Sequence, residues 1–184
     1  MKGFLKGRTI LILFVITNIV YLTMLFYSIP TLVGYSEGFD IFDMSPFGYS
    51  HAEAQRLLST LGEEGRNFYR DTQLLLDSLY PVLFAATYSL LMLWVINFGQ
   101  LKFIVWRGLS LLPLLVGVFD YSENYFIFKI LASYPEVPER LVSISSALTV
   151  SKSMTTTVFF VGLLFAFFAA TINRIKDKKA AMKS

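Results

Sequence analysis

Four long apolar runs, separated by stretches that mix charge with proline and glycine, set the pattern of this chain. A helix that crosses a bilayer needs about 20 mostly apolar residues, because the hydrocarbon core is about 30 Å thick and each residue rises about 1.5 Å. The runs at about 9–27, 75–98, 103–131 and 150–173 meet that requirement. The sequence therefore predicts an all-α, polytopic membrane protein, a single four-transmembrane-helix bundle over residues 1–184 with an extracytoplasmic helical loop at 28–74. The first run comes after a basic stretch, Met1 to Arg8, and has the outline of a secretion signal. It is longer than a typical signal core and no Ala-x-Ala site succeeds it, so it is expected to be a retained anchor. The third run exceeds the bilayer thickness and must tilt, project or kink at Pro113.

The connecting segments carry local signals. Pro30, Gly34, Gly38, Pro46 and Gly48 mark irregular chain in the first half of 28–74. Ser50 and Glu53 form an S-x-x-E capping box that starts a helix, which should stop near Gly62. A second helical stretch from about Glu63 runs into the second span. Leu57, Leu58 and Leu61 share one face of the loop helix, either to pack on the bundle or to lie in the membrane interface. In the segment 132–149, Pro135 and Pro138 favour an extended turn. The link from Gly99 to Lys102 is tight, so the second and third spans should form an antiparallel hairpin, bracketed by Trp94 and Trp106 as interfacial anchors. His51 is expected to be solvated in the first turn of its helix.

Composition sharpens this picture. Hydrophobic residues make up 55% of the chain, above the 45–50% or so of soluble domains, so the solvent is lipid. The absence of cysteine and the single histidine exclude disulfides, thiolate chemistry and a histidine-rich metal site. No nucleophile motif, phosphate loop or cofactor fingerprint occurs, so neither a cofactor nor a metal is expected, and whether a reaction is catalysed stays open. Of the sixteen basic residues ten fall on one side of the spans, whereas of the thirteen acids only Asp177 does. The positive-inside rule makes that side cytoplasmic, with both termini there and the inner (plasma) membrane as the expected location. The tail 174–184 then reads as an orientation signal touching lipid headgroups, and no nucleic-acid partner is expected.

Ionisable groups inside a span cost about 2.5–3.5 kcal/mol each on insertion scales, so they mark pairs, wet cavities or function. Asp120, Glu123 and Asn124 sit at i, i+3 and i+4, on one face of the third span. On the second helix Arg66, Arg70, Gln73, Asp77 and Pro81 recur near a period of 3.6, with Tyr80 beside them. On the fourth, Ser145, Thr149, Lys152 and Thr156 form a third stripe. Alternating helix directions put these groups at similar depth. The expected result is a polar cluster in the outer half of the bundle, with Asp77, Asp120 and Glu123 against Lys152 and with Arg66 and Arg70 above them. Buried polar pairs that merely fix helix register, worth about 0.6 kcal/mol each, are the structural alternative.

Gly65-Arg66-Asn67-Phe68-Tyr69-Arg70, Asp77-Ser78-Leu79-Tyr80-Pro81 and Asp120-Tyr121-Ser122-Glu123-Asn124 together resemble a pattern of small four-span bacterial membrane proteins with no established activity. The topology is also similar to the sterol-isomerase and sigma-2-receptor superfamily, whose bundles hold a sterol or amine against buried carboxylates. That superfamily has an acid on its first span and a tryptophan-rich site; here the first span has only Asn18. Three functions fit these observations. The first is an outward-facing intramembrane pocket for an amphipathic, lipid-like small molecule, with Asp120 and Glu123 as acid/base or cation-binding groups and Arg66 and Arg70 meeting an anionic headgroup. The second is a scaffold or accessory subunit of a partner membrane protein. The third is a small ion- or proton-coupled transporter acting as a homo-oligomer.

Overall fold

In hydrocarbon every peptide group must find its partner within the protein, and a helix achieves this within one segment. The computed structural model describes residues 7–182, so Lys2, Lys6 and Lys183 of the orientation argument lie outside the described residues. Four helices are long and apolar enough to cross a membrane: α1 (Gly7–Tyr35), α2 (His51–Gly99), α3 (Ile104–Ala132) and α4 (Glu139–Ala181). No strand occurs among the described residues. Side chains such as Leu11, Ile12, Phe26, Phe165 and Phe168 point outward, as a lipid-facing surface requires. Among the spans α1 packs chiefly along α2, while α3 lies against α2 and α4, and α2 and α4 also meet.

The helices outrun the predicted spans. α1 continues past 27 to Tyr35 through a π turn at Met24–Ser28, where the Ile29 N–H donates to the Met24 carbonyl. Pro30 comes directly after it. Its ring would crowd a carbonyl one turn back, and the wide turn relieves that conflict. α2 opens with the capping box: the Ser50 hydroxyl accepts from the Glu53 N–H at 3.3 Å, and Glu53 Oε2 accepts from the Ser50 N–H at 2.7 Å. At Gly62 the backbone leaves helical geometry (φ 62°, ψ −174°), a conformation that favours glycine, so the chain kinks there before resuming. α2 then passes a second π turn at Tyr69–Gln73 before entering the apolar run.

Pro113 does not kink α3. The irregularity falls at Ser110 and Leu111, and Pro113 sits in the first turn of Leu112–Ala132, where its missing N–H costs nothing. α4 begins at Glu139, well before 150, so the turn between α3 and α4 is confined to 133–138. His51 is not a solvated residue. Half-buried, its Nε2 donates to the Val137 carbonyl at 2.8 Å and ties the start of α2 to that turn.

Two apolar clusters hold the bundle, one at each end. At the loop end Leu57, Leu58 and Leu61 are buried with Leu32, Ile41, Phe42, Ile127, Ile130 and Val142, so the loop helix packs on the bundle. At the hairpin end Met92, Val95 and Ile96 meet Phe159, Ala166 and Ala170. There Trp94 stacks on Phe98 at 5.3 Å and Trp106 packs half-buried against the same cluster. The polar groups of the spans lie between these clusters.

Candidate functional site

One turn of α3 separates Asp120 from Glu123, and both are buried. α4 supplies their partners from one face. Lys152 Nζ donates to Asp120 Oδ1 at 3.0 Å and forms an ion pair with Glu123 Oε2, while the Thr149 hydroxyl donates to Glu123 Oε1 at 2.5 Å. These contacts fix the register of α3 on α4, which is the role a purely structural polar pair would have. Glu123 thus meets Thr149 through Oε1 and Lys152 through Oε2.

α2 adds Asp77, only 6% exposed. The Asn124 amide lies beside it, yet among the described residues neither Asp77 Oδ2 nor the Asn124 amide atoms have a hydrogen-bond partner. A buried polar atom in that state costs about 1–3 kcal/mol unless something else satisfies it. Tyr80, one turn on, is half-buried and packs against Tyr21 at 5.8 Å and Phe84 at 5.7 Å.

A fourth carboxylate arrives from outside the helices. The short 3-10 turn Phe42–Met44 holds Asp43 between α2 and α4. The Tyr69 hydroxyl donates to Asp43 Oδ1, and Gln73 Nε2 donates to Oδ2 at 3.1 Å. Asp43 lies within electrostatic reach of Asp77, Asp120, Glu123 and Lys152. Nearby, the Tyr49 hydroxyl donates to Ser145 Oγ at 2.7 Å. Burial pushes that phenol's pKa up, so it stays a neutral donor.

A cavity of about 340 Å³ is lined by Asp43, Asp77, Asp120 and Lys152, with Tyr21, Met24, Met44, Tyr80, Phe84 and Thr156 among its other walls. Tyr21 and Met44 are its exposed margin. Asp77, Asp120, Lys152 and Tyr80 therefore line one cavity. Glu123 and Asn124 are adjacent to the cluster but do not line the cavity. Arg66 and Arg70 are not above the cluster: Arg66 donates to the Leu58 carbonyl at 2.8 Å and stacks over Tyr134 at 4.1 Å, while Arg70 pairs with exposed Asp71 at 2.7 Å. Asp43 escaped the sequence reading because a lone acid in a loop has no periodicity to betray it. Its only signal is the apolar company of Ile41 and Phe42, both buried.

The electrostatic balance is one-sided. Four carboxylates, Asp43, Asp77, Asp120 and Glu123, surround one ammonium, and Lys152 contacts only Asp120 and Glu123 directly. Among the described residues no three His, Cys, Asp or Glu side chains are grouped to hold a metal ion. No family model matches the chain, and neither a curated protein nor a solved structure matches it.

Proposed function

We propose that this chain is a plasma-membrane protein, its termini cytoplasmic, whose cavity takes the polar head of an amphipathic molecule, and that this head is positively charged. The observation that carries the reading is Asp77: a buried carboxylate lining a cavity, with one oxygen unpartnered and no cation in direct contact. Its surroundings favour a cation over an anion, because carboxylates outnumber lysine and the tyrosines Tyr21 and Tyr80 present aromatic surface to an ammonium. An anionic headgroup has no such support, since Arg66 and Arg70 are both engaged elsewhere.

In neutral maltoside micelles, dodecylamine should bind saturably and raise the thermal midpoint, whereas dodecyl sulfate should not. Asp77→Asn keeps the shape and removes the charge; it should weaken amine binding by about tenfold or more, as the loss of a charge-assisted hydrogen bond does. Equal binding of the amine by wild type and Asp77→Asn would defeat the proposal.

The orientation has its own test. The chain has no cysteine, so Phe47→Cys, at a position 96% exposed on the loop, creates a single thiol. A membrane-impermeant thiol reagent should label it in intact cells; labelling only after lysis would invert the topology.

A further inference from the structure

A second hollow lies toward the hairpin end, between the same two helices, α2 and α4. On α2, Asp77, Tyr80 and Phe84 line the cavity, and Leu91, Trp94 and Val95 line a second cleft of about 370 Å³, walled wholly by apolar side chains. On α4, Lys152 and Thr156 line the first, while Phe160, Leu163 and Phe167 line the second. Asp77, Phe84, Leu91 and Val95 succeed one another at steps of seven, seven and four; Lys152, Thr156, Phe160, Leu163 and Phe167 at four, four, three and four. Each series occupies a single face of its helix. Between the two hollows Phe160 packs its ring 6.1 Å from Phe84 and 5.2 Å from Tyr88 and is 40% exposed, so a chain reaching from one hollow to the other lies over its outer face. From Lys152 to Phe167 this face of α4 runs ~20 Å at about 1.5 Å per residue.

We infer that one molecule occupies both hollows, a long-chain amine whose ammonium sits among Asp43, Asp77 and Asp120 and whose hydrocarbon tail runs past Phe160 into the cleft at Trp94. This rests on the proposed cation-binding role of the cavity and adds the tail site to it. Charge complementarity fixes the head, and the shared faces of α2 and α4 fix the direction of the tail.

Trp94 reports on the cleft directly. The chain has two tryptophans, and Trp106→Phe leaves Trp94 as the only tryptophan fluorophore. In maltoside micelles a hexadecylamine brominated at its far end should quench Trp94 saturably, at the same mole fraction at which it raises the thermal midpoint. The equally long brominated alkanol should need a several-fold higher mole fraction, and Asp77→Asn should move the amine's midpoint about tenfold toward it. Saturable, Asp77-dependent amine binding without Trp94 quenching would overturn the tail site and leave the head site standing. No Asp77-dependent binding by any amine would remove both. Equal quenching by amine and alkanol would mean that the cleft takes any lipid chain, which overturns the single-molecule proposal.

Discussion

Lys152→Met destabilises the folded bundle by about 3–5 kcal/mol, the cost of leaving buried carboxylates without their cation. Lys152 is the direct ionic partner of both Asp120 and Glu123. Both acids are at most 4% exposed, so water is a poor substitute for the lost ammonium. The expected readout is a lower thermal midpoint in neutral detergent. A second variant isolates the electrostatic cause: in Lys152→Met/Glu123→Gln one of the stranded charges is gone, while the Thr149 hydroxyl keeps an amide oxygen to donate to. That pair should be more stable than Lys152→Met alone, because removing both partners of a buried pair costs far less than removing one. A Lys152→Met protein as stable as wild type would mean that these carboxylates are hydrated, and the account of the cluster would fail with it.

Gly99→Ala is the second large effect. A Cβ at Gly99 would stand 2.3 Å from the Ala170 Cβ and 2.4 Å from the Ala170 Cα, so α2 and α4 must separate at the hairpin end. Overpacking of this kind costs about 1–3 kcal/mol, and here it also pulls on the bond from Asn173 Nδ2 to the Gly99 carbonyl at 3.0 Å. Ala170→Gly in the same chain removes one obstacle and leaves the Cα, so the double variant should recover only part of the loss. Full recovery would show that the crossing yields more readily than its geometry implies; no loss in the single variant would show that the two backbones do not approach so closely. Gly65 and Gly117 are weaker cases, facing Tyr35 and the Pro81 carbonyl.

The four spans were legible because hydrocarbon imposes one rule on every residue in it. The capping box and the break at Gly62 were legible because they are local, set by Ser50, Glu53 and the backbone freedom of one glycine. The helix ends were not, since α1 and α4 continue into segments that fold onto the bundle rather than into water, and the apolar run alone says nothing of that packing. The charges Asp77, Asp120 and Lys152 stood out against their greasy neighbours. Arg66 and Arg70 were misplaced for a definite reason. The stripe that joined them to Asp77 assumed an unbroken 3.6-residue period, but the π turn at Tyr69–Gln73 intervenes. An extra residue in one turn rotates the helix on its N-terminal side by about 100° relative to the helix on its C-terminal side. Arg66 therefore points away from the carboxylates, and Arg70, inside the turn itself, pairs with Asp71.

The layering of the bundle governs how anything could arrive at Asp77. Apolar clusters fill the bundle core on either side of the middle layer, one built on Leu58 and Ile130, the other on Met92 and Phe159. The cavity opens on a flank, beside Tyr21 and Met44, its only lining residues with large exposed apolar surface among those described. Where that flank meets hydrocarbon, a visitor would partition into the membrane before it met any carboxylate, so solubility in lipid would screen candidates ahead of charge.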